Sequence, residues 1–297
     1  MWVGAAFFAL AQSVPAGAAP ATIVSLLSYN VHGLFRLAAG DSPRDRMPTI
    51  GWLANKYDVV LLQEDFEYPD VIRSQMSLRA FHRGTGIRRD PALVLARILL
   101  LPLTLPIPRF SPPYGSGLTS YVPEAMDVAD AVTRKAYDDC AGWFRSHADC
   151  WAHKGLLRVR IRTPAGAEVD VYNTHIEAGR EGRSLRSRRR NFEVLTQTIE
   201  HESEGRAVVV GGDFNVDYSL PHDRDTITTF RKRLGLNDSG AGPELPVWRE
   251  HDFILFRSGN GARLTVVEAG EAKEFVNGSR ALSDHPALFT RLSVTPE

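Results

Sequence analysis

The sequence predicts an α/β sandwich, and three observations support this fold class. Several segments are continuously apolar and rich in β-branched residues, which is typical of strands that are buried on both faces. Segments with helical periodicity alternate with them, so helices are expected to cover at least one face of the sheets. The 297 residues, of which 43% are hydrophobic and 24% charged, suffice for one large globular domain or two small ones.

The strands are predicted first, because each apolar run ends at polar residues. In chain order they span 22–30, 57–65, 155–163, 168–176, 206–215, 251–257 and 287–294. The third and fourth alternate with period two around Pro164-Ala165-Gly166, which predicts a β-hairpin.

Two helices are predicted between these strands. The first spans Leu185 to Ile199, where apolar residues recur at helical spacing, and the second spans Asp225 to Leu236.

The charge balance limits the class of partner. Lys and Arg total 35, as do Asp and Glu, so the formal net charge is zero and a strongly basic nucleic-acid coat is excluded. A local basic patch remains, because six arginines follow the fourth strand. They are Arg180, Arg183, Arg186, Arg188, Arg189 and Arg190. Nucleic-acid phosphates, anionic lipid headgroups and simple solvation are all open explanations for this cluster.

The N-terminus predicts a secreted or periplasmic protein. Residues 1–35 contain no Asp, Glu, Lys or Arg, and Ala16-Gly17-Ala18 matches a small-residue cleavage pattern after a short apolar core. We therefore expect a signal peptide at 1–18 and a single catalytic domain at 19–297. No positive residue precedes the apolar core, and a buried strand or a membrane anchor is the alternative, although the core is too short to span a bilayer.

The two cysteines fit the same compartment. Cys140 and Cys150 would form a disulfide in an oxidising environment and close a loop of about ten residues. The alternative is a pair of free buried thiols.

An apolar insertion is predicted at about 91–110. It carries only Arg97 and Arg109 as charges, and Pro102, Pro106 and Pro108 prevent a continuous helix. Either it is a buried helix followed by an extended loop, or it is an exposed loop that contacts a membrane surface.

Polar residues that suit metal-assisted chemistry gather at the strand ends. They are Asn30, Glu64, His175, Asp213, Asn215, Asp252, Asp284 and His285. Strand ends in α/β folds converge on one crevice, and carboxylate and amide oxygens are the ligands that Mg²⁺ prefers. Histidines beside such a metal can move protons at neutral pH. This combination is what phosphoester hydrolysis needs.

The order of these fragments resembles a known family. SYNVHG, LLQED, NTHIEAG, GGDFN, HDFIL and SDHPAL follow one another as in the endonuclease/exonuclease/phosphatase superfamily, over about residues 22–295. The superfamily includes deoxyribonuclease I-like nucleases, inositol phosphatases and secreted neutral sphingomyelinases. The resemblance implies a four-layer α/β sandwich, with two packed, mostly antiparallel sheets flanked by helices. It also implies hydrolysis of phosphoesters that depends on Mg²⁺ or another divalent cation such as Mn²⁺.

The resemblance also implies a role for each residue. Glu64 resembles the main metal ligand, Asn30 the amide that supports metal and phosphate, and Asp284 a further metal-site carboxylate. His175 resembles the histidine that contacts the phosphate or protonates the leaving group.

Asp213 and Asn215 resemble the pair that orients water and phosphate. His285 resembles the general base, and Asp252 resembles the carboxylate that orients it, although HDFIL stands where many members have a sequence like IDYIL.

Within the superfamily the sequence looks most like the secreted neutral sphingomyelinases. Those proteins carry a cysteine-bearing loop before a Lys-Gly, as in residues 140–155 here, so Lys154 is expected at the rim as a phosphate contact. The apolar insertion and Trp143, Phe144 and Trp151 also favour a lipid substrate.

Three functions are therefore considered: a phosphodiesterase of sphingomyelinase type, a secreted or periplasmic nuclease, and a non-catalytic binding protein that retains the fold. A phosphoester substrate is the expected partner in the first two, and no protein partner is inferable.

Overall fold

The computed structural model describes residues 20–34, 42–77, 79–86, 115–142, 149–150, 152–240 and 250–297. The strands are β1 Thr22–Asn30, β2 Val59–Gln63, β3 Arg79–Arg83, β4 Thr119–Pro123, β5 Thr133–Ala136, β6 Gly155–Arg162, β7 Glu168–His175, β8 Val208–Asp217, β9 Asn237–Asp238, β10 Glu250–Arg257, β11 Arg263–Glu271, β12 Val276–Asn277, β13 Arg280–Ala281 and β14 Leu288–Thr295. The helices are α1 Pro43–Ala54, α2 Pro69–Arg73, α3 Gly182–Glu202 and α4 Pro221–Leu234, with a 3₁₀ turn at Glu124–Met126.

Two six-stranded sheets form the centre of the fold. The first has the order β11-β14-β1-β2-β4-β3 and the second the order β5-β6-β7-β8-β10-β9, while β12 and β13 form a separate hairpin. Within each sheet one pair is parallel, β1 with β2 and β7 with β8, and the other pairs are antiparallel. The prediction of two mostly antiparallel sheets is confirmed.

Alternation along the central strands separates the layers. Leu26 of β1 and Leu61 of β2 belong to the larger apolar cluster, which also contains residues of the second sheet. Their neighbours Leu27 and Leu62 belong to a second cluster with Ile50 of α1. Since successive side chains of a strand point to opposite faces, these strands are apolar on both sides.

The helices α3 and α4 pack against the second sheet. Phe192 of α3 lies 5.2 Å from Phe230 of α4 and 5.9 Å from Phe214 of β8, measured between ring centroids. The described residues thus form helix, sheet, sheet and helix layers. No helix in these described ranges combines the length and the apolar character that a membrane crossing requires.

The predicted strands and both predicted helices are present, with ends shifted by a few residues. The helix α4 begins four residues before the predicted start because Pro221 suits the first turn of a helix, and Gly235 ends it with φ 66°. The helix α1 was not predicted, since Pro48 lies inside it and interrupts an apolar pattern that is already weak. The strands β3, β4, β5, β9, β11, β12 and β13 and the short helix α2 were also missed.

Three of the sequence predictions lie outside the described residues. These are the signal peptide at 1–18, the apolar insertion at 91–110, and the aromatic residues Trp143, Phe144 and Trp151.

Candidate active site

The two parallel strand pairs bring the predicted site residues together. The strand β1 ends at Asn30, and β2 ends one residue before Glu64, so both residues follow parallel strands of the first sheet. In the second sheet His175 ends β7 and pairs in register with Asp213 of the parallel strand β8. Carboxyl ends of parallel strands meet at one edge, and the stacking of the two sheets places both edges side by side.

A buried amide network holds the sheets in this relation. Gln63 donates from Nε2 to Oδ1 of Asn173 at 2.8 Å, across the sandwich. Asn173 in turn donates from Nδ2 to the carbonyls of Leu62 and Thr119, both at 2.9 Å. Because Gln63 precedes Glu64 and Asn173 lies two residues before His175, this network fixes Glu64 relative to His175.

Asp213 is the centre of the polar cluster. Its Oδ2 accepts a 3.0 Å hydrogen bond from the Asn30 amide and lies 3.4 Å from Nε2 of His175, while Oδ1 accepts from the Asn215 backbone N–H at 2.9 Å. Burial by itself would raise the pKa of Asp213, but His175, His285 and Lys154 hold it below its ordinary value. Asp213 is therefore an ionised anchor for the donors around it.

His285 and Asp252 form a buried carboxylate–imidazole pair. Nδ1 of His285 lies 2.7 Å from Oδ2 of Asp252, and Nε2 lies 3.8 Å from Oδ2 of Asp213. Burial by itself would lower the pKa of His285, but the hydrogen bond and charge of Asp252 raise it to about 10. Asp252 thus fixes the orientation of the imidazole and favours its protonated form, as expected for the partner of a general base.

His175 has the opposite character. Burial, reinforced by the positive charge of Lys154, lowers the pKa of His175 to about 3. Its imidazole is neutral at pH 7, and Nδ1 is buried without a hydrogen-bond partner. The surroundings of the two histidines of this site therefore favour different protonation states in the absence of a bound cation.

Glu64 offers a free carboxylate oxygen. Oε1 lies 4.0 Å from Nε2 of His175, whereas Oε2 is buried without a hydrogen-bond partner, and the side chain is 19% exposed. Burial raises the pKa of Glu64, although Lys154 and a hydrogen bond with Asn30 oppose the shift. A buried carboxylate with an unused oxygen next to an amide suits a divalent cation, which would restore the ionised form.

A cavity of about 930 Å³ opens onto these groups. Glu64, His175, Asp213, Asn215 and His285 all line it. Among the residues that the structure describes, four non-glycine residues have a positive φ: His32 at 48°, Glu64 at 55°, Asn215 at 51° and His251 at 55°. All four line this cavity. Strained backbone conformations of this kind concentrate at functional sites, so their common location supports an active site here.

Lys154 differs from its expected position. The side chain lines the cavity but is only 8% exposed, so it is a wall residue and not a solvated rim residue. Nζ lies 2.9 Å from Oδ1 of Asp149 and donates to the carbonyl of Ile176 at 3.2 Å. Its charge is thus balanced by a buried carboxylate that the sequence did not single out.

Asp284 also has a partner that was not expected. Its side chain is 58% exposed, and Oδ2 lies 2.9 Å from Nδ1 of His32. Burial opposes the shift, but the hydrogen bond and charge of His32 lower the pKa of Asp284 well below its ordinary value. Ser283 links this loop to the first strand, because its hydroxyl donates to the carbonyl of Asn30 at 2.7 Å.

Two groups of residues are chemically able to hold a divalent cation. One is the predicted set, Glu64, Asn30 and Asp284. The other is Asp213, Asp252 and His285, each of which offers one ligand atom within 4.8 Å of the others. Each set holds a buried carboxylate oxygen without a hydrogen-bond partner, Oε2 of Glu64 in the first and Oδ1 of Asp252 in the second.

His32, Asp149 and His251 line the cavity but were not singled out from the sequence, and neither was Arg46, which lines an adjoining pocket with His32 and Asp284. Arg46 donates to the carbonyls of Val31, His32 and Leu282 and so joins the loop after β1 to the loop before β14. His32 and His251 lie inside the fragments SYNVHG and HDFIL, so their signal was present in the motifs themselves. Arg46 and Asp149 carry no such signal.

The arginines that follow β7 differ in their burial and in their partners. Arg188 is buried and lies 2.7 Å from Oδ1 of Asp223, so it is structural. Arg180 lines the cavity, 3.5 Å from Oδ2 of Asp217. Arg190 pairs with Asp139, while Arg183 and Arg186 are exposed at the start of α3.

The predicted disulfide between Cys140 and Cys150 is confirmed, with 5.3 Å between the Cα atoms. It lies next to the site, because the N–H of Ala141 donates to Oε1 of the buried Glu177 at 3.1 Å. Asp149, the residue before Cys150, is the partner of Lys154.

No family model matches the chain. Sphingomyelinases of Mycobacterium tuberculosis and Mycobacterium bovis are 31% identical to it over 284 residues. The match covers 89% of this chain and 51% of the relatives, so the chain spans about half the length of the curated relatives.

Several solved structures share this fold over nearly their whole length. An endonuclease/exonuclease/phosphatase from Bacteroides vulgatus has a TM-score of 0.63 at 16% identity, and the match covers 91% of this chain and 98% of that structure's chain. A beta toxin mutant from Staphylococcus aureus with bound magnesium ions has a TM-score of 0.60 at 16% identity, covering 91% and 99%. D. rerio TDP2 complexed with single-strand DNA product has a TM-score of 0.60 at 16% identity, covering 91% and 99%. These likenesses confirm the fold that the six sequence fragments predicted.

Proposed function

We propose that this chain, which has the endonuclease/exonuclease/phosphatase fold, is a phosphodiesterase of sphingomyelinase type that depends on a divalent cation. The observation that carries the proposal is the Asp252–His285 pair. Asp252 binds Nδ1 of His285, and Nε2 of His285 lies 3.8 Å from Oδ2 of Asp213. His285, Asp213 and Glu64 all line the same cavity. A base, an ionised anchor and a free carboxylate oxygen thus converge on one space.

Each residue has a defined task in the hydrolysis. His285, oriented by Asp252, is the base in its neutral form, which a cation bound nearby would favour by lowering the pKa of the imidazole, and in that form it accepts a proton from the attacking water at Nε2. Asp213 holds the Asn30 amide and the Asn215 backbone in place, so that their donors are fixed before the substrate binds. The neutral imidazole of His175 contacts the phosphate through a hydrogen bond.

Glu64 and Asn30 would hold the cation, with Asp284 as a further carboxylate at the same end of the cavity. The unpartnered Oε2 of Glu64 fits this role, as do the oxygen donors of the set. When bound, Mg²⁺ would neutralise phosphate charge and lower the pKa of neighbouring acids.

The similarity to the mycobacterial sphingomyelinases supports a phospholipid substrate. A predicted signal peptide at 1–18 and the Cys140–Cys150 disulfide support secretion or a periplasmic location. The apolar segment 91–110 supports docking at a membrane surface. In this proposal the protein is a secreted enzyme that acts on lipids at a bilayer.

A direct assay tests the proposal. The full chain is incubated with sphingomyelin vesicles and, in parallel, with plasmid DNA, each with Mg²⁺ and with EDTA. Release of the phosphorylated headgroup that requires Mg²⁺ is the expected result. Cleavage of DNA alone would favour the nuclease, which the likeness to TDP2 keeps as the second candidate. Hydrolysis of neither substrate by the folded protein would contradict the proposal and would favour the non-catalytic binding protein.

A further inference from the structure

His251 lies on the cavity wall, yet the roles assigned above do not include it. It immediately precedes Asp252 on β10 and lines the same cavity as His285 and Asp213. The two imidazoles of His251 and His285 are in edge-to-face contact, with 5.8 Å between their centroids and 74° between their planes. A group that contacts His285 is therefore also close to His251.

The backbone at His251 is adapted to this position. The register between β10 and β8 shifts at His251. Glu250 pairs with Asp217 and Asp252 pairs with Asp213, so His251 alone lies opposite the three β8 residues between Asp213 and Asp217. His251 has φ 55°, and Asn215 on the facing strand has φ 51°. Irregular pairing of this kind re-aims a side chain, and a left-handed conformation is unfavourable for a residue with a Cβ.

The imidazole of His251 also has unused hydrogen-bonding capacity. Nδ1 is buried and has no hydrogen-bond partner. Buried polar atoms in folded proteins are normally paired, so an unpartnered ring nitrogen in a residue of the cavity wall calls for a functional explanation. His175 shows the same combination of cavity exposure and an unpartnered Nδ1.

The type of ligand follows from the neighbours of His251. His251 lines the cavity together with Asp213 of the reacting centre and with Asp217 and Arg180. An imidazole N–H is a donor that suits a phosphate oxygen. The chain has HDFIL where many members of the resembling family have a sequence like IDYIL, so the histidine departs from that pattern.

We infer that His251 is a further substrate-binding residue, which donates a hydrogen bond from its imidazole to a non-bridging oxygen of the substrate's phosphate. The inference rests on the proposed function for the identity of the substrate, but not for the phosphate contact itself. A residue that packed only to orient His285 would need the shape of the ring and no donor.

Two substitutions separate these roles. His251→Phe keeps a planar ring against His285 and removes the donor, whereas His251→Gln keeps a donor and loses the ring. His201→Phe is the control, because His201 lies on α3 with a side chain that is 86% exposed. The three variants are compared with the unmodified chain by thermal unfolding, by kcat and KM on a phosphodiester, and by calorimetric binding of inorganic phosphate without metal.

A lost hydrogen bond to a charged group corresponds to about a 10- to 100-fold effect. We therefore expect His251→Phe to lower kcat/KM and the affinity for inorganic phosphate by about that factor, with an unchanged unfolding temperature. His251→Gln should retain most of the phosphate affinity, and His201→Phe should behave as the unmodified chain.

Unchanged phosphate affinity in His251→Phe overturns the inference. A loss of kcat that is confined to His251→Gln also overturns it, because that result would assign the His251 ring a packing role. If the unmodified chain hydrolyses no phosphodiester while His251→Phe still weakens phosphate binding, the proposed function fails and the phosphate contact stands.

Discussion

The Asn30 amide donates a 3.0 Å hydrogen bond to Oδ2 of Asp213, and this bond joins the two sheets of the sandwich at the floor of the cavity. The two residues are 183 positions apart in the chain. Asp213 also receives the N–H of Asn215 and lies beside His175, so both of its oxygens are engaged. Asp213 is therefore an organiser of the site, while Glu64 keeps an oxygen free for a ligand.

Glu64→Gln should weaken the dependence of activity on the divalent cation. The substitution keeps the shape of the side chain but removes the charge, and Oε2 of Glu64 has no protein partner that would replace the cation. We expect the Mg²⁺ concentration for half-maximal activity to rise at least about tenfold, which is typical of lost metal-site groups. Titration of EDTA-treated enzyme with Mg²⁺ measures it, with Glu124→Gln on the exposed surface as the control. An unchanged titration curve would exclude Glu64 as a ligand.

Asp252 and His285 should act as one unit. His285→Ala is expected to lower kcat by about 10²–10⁴, the range for a general base, with little change in KM. Asp252→Asn should also lower kcat strongly, because Asp252 orients the imidazole at 2.7 Å. In the double variant the second substitution should add little, since coupled residues are not additive. Additive losses in the double-mutant cycle would show that the two residues act separately.

Glu177 should make the stability of the protein depend on pH. Glu177 is 1% exposed, and burial together with Asp149 raises its pKa to about 8. Between about pH 4.5 and pH 8 the native state therefore binds a proton that the unfolded chain has released, so the free energy of unfolding falls as the pH rises through this window.

Glu177→Gln should remove this dependence. The amide oxygen can still accept from Ala141, and the variant should be more stable than the unmodified chain at pH 9 but about equal at pH 4. The substitution should remove a change in the free energy of unfolding of at most about 1.4 kcal/mol per pH unit. Urea unfolding across the pH range measures it, with Glu204→Gln as an exposed control. The assignment is wrong if both variants show the same pH profile as the unmodified chain.

In the proposed function the segment 91–110 docks the protein on lipid. Inserting three of its leucines into a bilayer would contribute about 5 kcal/mol, at ~1.5–3 kcal/mol for each side chain. Replacing Leu100 and Leu103 with Ser should reduce vesicle binding and turnover of the vesicle substrate, while hydrolysis of a soluble phosphodiester is spared. Vesicle co-sedimentation and both assays measure this. Equal loss of all activities, or unfolding, would instead assign the segment to the core.

Local sequence pattern determined much of the fold and the site. The strands and the helices α3 and α4 were readable because their apolar periodicity is a short-range property, and the polar residues at the strand ends were readable because each follows such a run. The fragments from SYNVHG to SDHPAL specified the fold, since their types and order together are far more specific than any one of them. The Cys140–Cys150 disulfide was readable from the two cysteines and the expected compartment.

The tertiary structure decided how these residues interact. The Asn30–Asp213 bond and the Arg46 bond to Leu282 join segments whose proximity follows only from how the chain packs. The protonation states were also unreadable, because the pKa of His175 falls to about 3 through burial and nearby charge, which no sequence pattern records. The sequence thus determined which chemical groups are present, and packing determined their distances and charges, because hydrogen bonds and solvation act between atoms that are neighbours in space.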